Sequence, residues 1–204
     1  MMRKKIAVFA SGFGSNLQAL IDFNTDGDLG GDIVLVFSND SKAFALKRAK
    51  KHKIRAESID PLGFVNRQDF EVEILKILKE EKIDLIVLAG YMFLLTPLLI
   101  GEYKDRILNI HPALLPSFKG THGIKDAFEY GVKISGVTVH FVDSEPDNGP
   151  IIMQVPVFIG QDETMEKFEE KIHKVEHKIY PQAVKLFCED KLKIIDRKVE
   201  ILPE

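Results

Sequence analysis

Two kinds of apolar pattern alternate along the first half of this chain. Nearly uninterrupted apolar runs at residues 5–10, 33–37 and 85–89, with a weaker one at 56–59, read as strands buried on both faces. Between them, residues 15–23, 43–52 and 66–80 space their apolar side chains as helices do. Phe70, Ile74, Ile77 and Leu78 share one face of the longest. Thr96-Pro97 opens a short helix, a strand follows over 107–111, and 125–130 forms another short helix. The second half changes character. Residues 134–142 alternate and face a second strand at 151–157 across an acidic loop, as an antiparallel pair would. A long helix opens near Asp162-Glu-Thr-Met165, and Pro181 is expected to kink or end it. Residues 192–195 and 199–202 read as a terminal hairpin. Strand–helix alternation to about residue 111 predicts an α/β, doubly wound, mostly parallel sheet with antiparallel strands added in the C-terminal half. With no repeats or low-complexity linkers, a single domain over residues 1–204 is expected.

Candidate chemistry lies where strands end. Asn109 and His111 are two residues apart, so on a strand they share a face, and Pro112 holds His111 extended. An amide donor beside an imidazole can stabilise an oxyanion and move a proton, although a strand-end Asn and a satisfied His would look the same. The acidic loop offers Asp143, Glu145 and Asp147. Asp147 precedes Asn148-Gly149-Pro150, which makes it either a turn residue or a fixed carboxylate able to orient a His. Such a carboxylate is expected to raise the His pKa. Gly12 and Gly14 lie at a strand-to-helix turn, which suits an anion at the helix N-terminus. A dinucleotide fingerprint is weakened because its third glycine position is Leu17, and a purely structural tight turn remains open.

Ser11-Gly-Phe-Gly-Ser-Asn-Leu-Gln-Ala-Leu20, Val87-Leu-Ala-Gly-Tyr-Met92, Leu108-Asn-Ile-His-Pro-Ala-Leu-Leu-Pro116, Gly136-Val-Thr-Val-His-Phe-Val142 and Asp147-Asn-Gly-Pro150 occur in this order. Together they resemble the glycinamide ribonucleotide formyltransferases, folate-dependent enzymes of purine synthesis, from the first strand to the helix near Pro181. The resemblance implies formyl transfer from 10-formyltetrahydrofolate to the ribonucleotide amine, with Asn109, His111 and Asp147 as the catalytic set. It implies that Gly14, Ser15 and Asn16 hold the substrate phosphate and Glu176 its amino and ribose end. It puts Arg67 near the folate glutamate tail. Met92, Leu94, Leu95 and the main chain around Phe93 would line the pterin site, with Asn109 also touching the cofactor. Phe93 stands where many family members have Arg. His122 falls where the family often has His and would have a supporting role.

Composition narrows the class. Twenty-eight Lys and Arg against 31 Asp and Glu give a net charge of −3 and a pI near 6.1, without the basic footprint of a nucleic-acid binder. No run is long enough for a membrane span or signal peptide, and Cys188 is the only cysteine. A cytoplasmic enzyme acting on small molecules, as a monomer or weak homodimer, is expected. His173-Lys-Val-Glu-His177 fits a zinc-peptidase pattern but lacks an evident third ligand, so no metal is expected. Two alternatives stand beside formyl transfer. One is hydrolysis of 10-formyltetrahydrofolate; hydrolases of the family carry an added N-terminal regulatory domain, whereas this chain begins at the first strand. The other is a non-enzymatic nucleotide-binding module, which the Gly-rich turn alone would support.

Overall fold

The computed structural model describes residues 3–203 apart from 27. Its strands are β1 (Lys4–Phe9), β2 (Gly31–Ser38), β3 (Arg55–Ser58), β4 (Leu85–Leu88), β5 (Ile107–His111), β6 (Ile134–Phe141), β7 (Ile151–Phe158), β8 (Leu192–Ile195) and β9 (Lys198–Ile201). They form one sheet in the order β3-β2-β1-β4-β5-β6-β7-β9-β8. β1 to β5 are parallel, β6 runs antiparallel to β5, and β7 antiparallel to β6. The terminal hairpin joins through β9, parallel to β7. The helices are α1 (Ser15–Asp26), α2 (Phe44–Lys51), α3 (Arg67–Glu81), α4 (Pro97–Glu102), α5 (Gly123–Tyr130) and α6 (Met165–Cys188).

Side-chain alternation along the central strands splits the core in two. Ile6, Val8, Leu85 and Val87 face one layer, where α1, α2 and α6 pack. Ala7, Phe9, Ile86 and Leu88 face the other, against Phe70, Ile74 and Leu78 of α3 and Leu99 of α4. Helices on both faces explain why these strands show no polar side. From β1 the chain winds outward through β2 to β3, then crosses back to place β4 on the other side of β1. A crevice therefore opens at the carboxyl ends of β1 and β4, the usual ligand position in such sheets.

Of the two outcomes expected at Pro181 in α6, a kink or an end, the end is excluded: α6 continues to Cys188. Proline removes one ladder bond and disturbs the turn behind it, at a cost of about 3 kcal/mol in a helix interior. Burial of Ile179, Tyr180, Ala183 and Val184 against the sheet offsets that cost. Tyr180, the residue before the proline, is fully buried, and its hydroxyl lies 2.8 Å from the Leu88 carbonyl oxygen and 3.0 Å from that of Leu108. One side chain thus ties α6 to the ends of β4 and β5. Among the described residues no helix is long and apolar enough to cross a membrane.

Tyr180→Phe removes this tie and leaves buried carbonyls short of a donor. Chemical denaturation is expected to show a loss of about 1–2 kcal/mol. An unchanged denaturation midpoint would contradict the role given to this hydroxyl.

Candidate active site

The glycine turn after β1 is shaped for close approach. Gly14 has φ +74°, and a Cβ there would lie 2.8 Å from the Ala45 Cβ. Only glycine meets both conditions. The turn is also held from outside. Arg48 Nε donates to the Phe13 carbonyl at 3.0 Å, and its guanidinium covers the rings of Phe13 and Phe44 at 4.5 and 4.9 Å. Ser15 begins α1, so its N–H is among those the helix leaves unpaired. Asn16 is buried and donates from Nδ2 to Glu176 Oε2 at 3.2 Å, while its own Oδ1 has no protein partner. Gly14, Ser15, Asn16 and Glu176 therefore meet in space, although Glu176 is 160 residues away.

Both histidines of the zinc-like pattern border this end. His173 Nδ1 is 2.8 Å from Glu176 Oε2, and that bond raises the His173 pKa against the opposing effect of burial. His177 lines a cavity of about 350 Å³ with Ser15, Gln18, Ala19, Asp22 and Arg48. Among the described residues, no three His, Cys, Asp or Glu side chains form a metal-binding group.

At the end of β5, Asn109 and His111 point to one face as their spacing requires. Asp147 comes to them from the β6–β7 loop. His111 Nδ1 is 3.5 Å from Asp147 Oδ2, and Asn109 Nδ2 is 3.5 Å from Asp147 Oδ1. Asp147 has φ +51°, which an Asp tolerates, and Oδ2 accepts the Gly120 N–H at 2.8 Å. The loop cannot relax away from the sheet cheaply. A Cβ on Gly149 would lie 1.9 Å from the Phe141 carbonyl oxygen, so glycine is needed for the contact. Arg197, in the β8–β9 turn, adds a 2.6 Å bond to the Asn148 carbonyl. Asp143 forms an Asx turn with the Glu145 N–H instead of reaching the histidine.

Tautomers follow from the acceptor-only carbonyls nearby. His111 Nε2 lies 2.7 Å from the Phe118 carbonyl, so Nε2 carries a hydrogen and the neutral ring turns a bare Nδ1 towards Asp147. His140 Nδ1 lies 2.7 Å from the Phe141 carbonyl, and its Nε2 lies 3.2 Å from Asn109 Nδ2 and 3.7 Å from Asp147 Oδ1. His140 was not among the predicted site residues. Its β register directly opposite Asn109 brings it in. In the sequence it appeared only inside the block at residues 136–142, with no role attached.

The expected rise in the His111 pKa is corrected by the structure. His111 is 3% exposed, and burial pushes its pKa down more than Asp147 and the Phe118 carbonyl push it up. Burial also opposes the charge on Asp147, but His140, the Gly120 N–H and His111 together hold its pKa below the ordinary value. The resting site is thus a charged carboxylate beside a readily neutral imidazole.

A third group of residues lies across the crevice. Met92 and Leu94 are 65% and 56% exposed, so they are not core; Phe93 and Leu95 pack inwards on the α3 side. This alternation presents an apolar edge to the crevice. The Arg67 guanidinium lies 5.0 Å over the Phe93 ring. An arginine at position 93 would repel it, whereas Phe93 holds it. His122 is exposed at the start of α5 and its Nδ1 is 3.0 Å from the Thr121 hydroxyl; it does not join the Asn109 cluster.

A strand-end amide, imidazole and carboxylate, in a sheet that also carries a glycine turn at a helix N-terminus, suit group transfer. The chain belongs to the formyl transferase family, whose profile matches residues 4–184. Within that family it is 40% identical over 182 residues to the phosphoribosylglycinamide formyltransferase of Bacillus subtilis, covering 89% of this chain and 93% of that one. The structure of glycinamide ribonucleotide transformylase 1 from Symbiobacterium toebii matches with a TM-score of 0.95 at 40% identity, covering 98% of this chain and 94% of that chain. The trifunctional purine biosynthetic protein adenosine-3 of Chironomus tentans is 41% identical over 197 residues, but this chain spans 14% of its length.

Histidine NMR titration checks the electrostatics. His111 is expected to titrate below the ordinary histidine value of 6.5 in the free protein. Asp147→Asn removes the charge that favours imidazolium, so it should lower the His111 pKa further. A His111 pKa above 6.5 in the unsubstituted protein would mean that the carboxylate outweighs burial.

Proposed function

We propose that this chain transfers the formyl group of 10-formyltetrahydrofolate to the amine of N1-(5-phospho-D-ribosyl)glycinamide, a step in purine biosynthesis, by direct amine attack. The observation that carries this reading is the convergence of Asn109, His111 and Asp147 at the end of β5, in the sheet whose β1 and β4 lead into the Gly14–Asn16 turn and the Met92–Leu95 segment. The phosphate lies on the turn, against the N–H groups of Ser15 and Asn16. Glu176, already fixed by Asn16 and His173, takes the amino and ribose end. The pterin lies along Met92, Leu94 and Leu95, and Arg67 is near the glutamate tail. The reaction needs no metal, and the enzyme works in the cytoplasm.

The amine nitrogen attacks the formyl carbon, and the carbonyl oxygen takes the displaced electron pair. Asn109 Nδ2–H donates to that oxygen. Neutral His111, with its Nε2–H held by the Phe118 carbonyl, accepts the proton shed by the attacking nitrogen at Nδ1. The imidazolium so formed is paired with Asp147 through Nδ1, and its charge, not a further hydrogen bond, steadies the oxyanion held by Asn109. As the bond to the folate nitrogen breaks, that nitrogen takes the proton. Charge on His111 therefore develops during the reaction. A positioned base and a preorganised donor suffice, and no covalent enzyme intermediate forms.

The direct assay follows 10-formyltetrahydrofolate with and without the ribonucleotide. Turnover is expected only when the amine is present; equal turnover without it makes the chain a hydrolase. A complex should show the ribonucleotide phosphate about 3 Å from the Ser15 and Asn16 amides. A phosphate bound elsewhere would remove the turn from the site. Asp147→Asn is expected to lower kcat by at least ~100-fold while ribonucleotide affinity, measured by titration calorimetry, changes little. Lost ribonucleotide affinity would assign Asp147 to binding instead of chemistry.

A further inference from the structure

The apolar edge over Tyr91–Thr96 belongs to no helix or strand, so sheet and helix bonds do not fix its shape. Two side chains from other elements hold its ends. Near the start, the Met92 N–H donates to Ser11 Oγ at 2.8 Å. That hydroxyl has its own hydrogen committed to Asn39 Oδ1 at 2.6 Å, so it is fixed as an acceptor. The Ser11 N–H in turn reaches the Gly90 carbonyl at 3.0 Å. At the far end, Glu71 of α3 is 2% exposed and accepts three hydrogen bonds: from the Thr96 N–H at 2.6 Å, the Thr96 hydroxyl, and the Leu99 N–H at 3.3 Å. A buried carboxylate is costly unless it is bonded this fully. Burial does raise its pKa, against those bonds.

Resting on the functional reading above, we infer that Ser11 and Glu71 are positioning residues for the folate, clamping the two ends of the segment that carries Met92, Leu94 and Leu95. Neither touches the reacting atoms. Ser11 fixes the near end through the main chain of Met92, and Glu71 fixes the far end while capping α4. Between the clamps, outward Met92 and Leu94 alternate with inward Phe93 and Leu95, and this alternation holds only if both ends are fixed. Ser11 adjoins the Gly12–Gly14 turn as well, so its alternative role is to shape the phosphate end. The two roles differ in which ligand suffers.

The test titrates tetrahydrofolate and the ribonucleotide separately into the unsubstituted protein, Ser11→Ala and Glu71→Gln by calorimetry, with steady-state kinetics on each. Ser11→Ala removes the acceptor for Met92. Glu71→Gln keeps the shape but replaces one acceptor with an amide donor. Each is expected to weaken tetrahydrofolate by about 10-fold and to raise the KM for 10-formyltetrahydrofolate similarly, as expected for one lost bond to the segment. The ribonucleotide Kd should stay within about twofold, and kcat at saturation within about threefold. A loss of general stability would lower kcat and both affinities together, and Ser11→Ala keeps the test open should Glu71→Gln fold poorly. Variants that bind tetrahydrofolate as the unsubstituted protein does, or that lose ribonucleotide affinity equally, would overturn the inference. Unsubstituted protein that binds no tetrahydrofolate would sink the functional reading and this inference with it.

Discussion

The carboxylate of Asp147 is the point on which three stretches of chain converge. It accepts the Gly120 N–H, stands beside Asn109 and His111 on β5, and approaches His140 on β6. Its side chain is 12% exposed, so its charge is poorly hydrated and must be held by these neighbours. The left-handed backbone of Asp147, the close pack of Gly149 on Phe141 and the bond from Arg197 fix its position. The Phe118 carbonyl does the same for His111 from the opposite side. Amide, imidazole and carboxylate are thereby held in place without a ligand, and in the proposed reaction such preorganisation is the main source of rate gain.

The balance at His111 follows from two opposing effects. Burial favours the neutral ring; Asp147 favours the charged one. In the free protein burial wins. A developing oxyanion adds a second negative neighbour and shifts the balance towards imidazolium. A base that is neutral at rest and charged at the transition state is what amine attack requires, because the proton has to leave the amine nitrogen. The sheet supplies the rest of the arrangement. The adjacent ends of β1 and β4 give the glycine turn and the Tyr91–Thr96 segment a common origin, and Ser11 joins them through Gly90 and Met92.

Much of this was legible in the sequence because it was written in local pattern. Apolar runs separated by helical spacing predicted the parallel sheet, and the Asn109–His111 spacing predicted their shared face. Gly12-Phe-Gly14 before Ser15 predicted a tight strand-to-helix turn, and Gly14 adopts φ +74° there. The parts that escaped depend on contacts between distant residues. His140 joins the site only through strand register, and Arg48, Ser11 and Glu71 act on loops that are far away in sequence. The sign of the His111 shift escaped for a related reason. Proximity to a carboxylate can be guessed from motifs, but the depth of burial that outweighs it depends on the packed fold. Local propensity left open whether Pro181 ends α6, because it says nothing of the sheet against which Tyr180 and Val184 are buried.

The central claim is that His111 and Asp147 act as one unit. A double-mutant cycle on kcat/KM measures this directly, using His111→Ala, Asp147→Asn and the double variant. The account predicts strong non-additivity: once His111 is gone, removing the Asp147 charge costs little more, so the double variant resembles His111→Ala alone. Losses that simply add would contradict it, since they would mean that the carboxylate acts on the reaction independently of the imidazole.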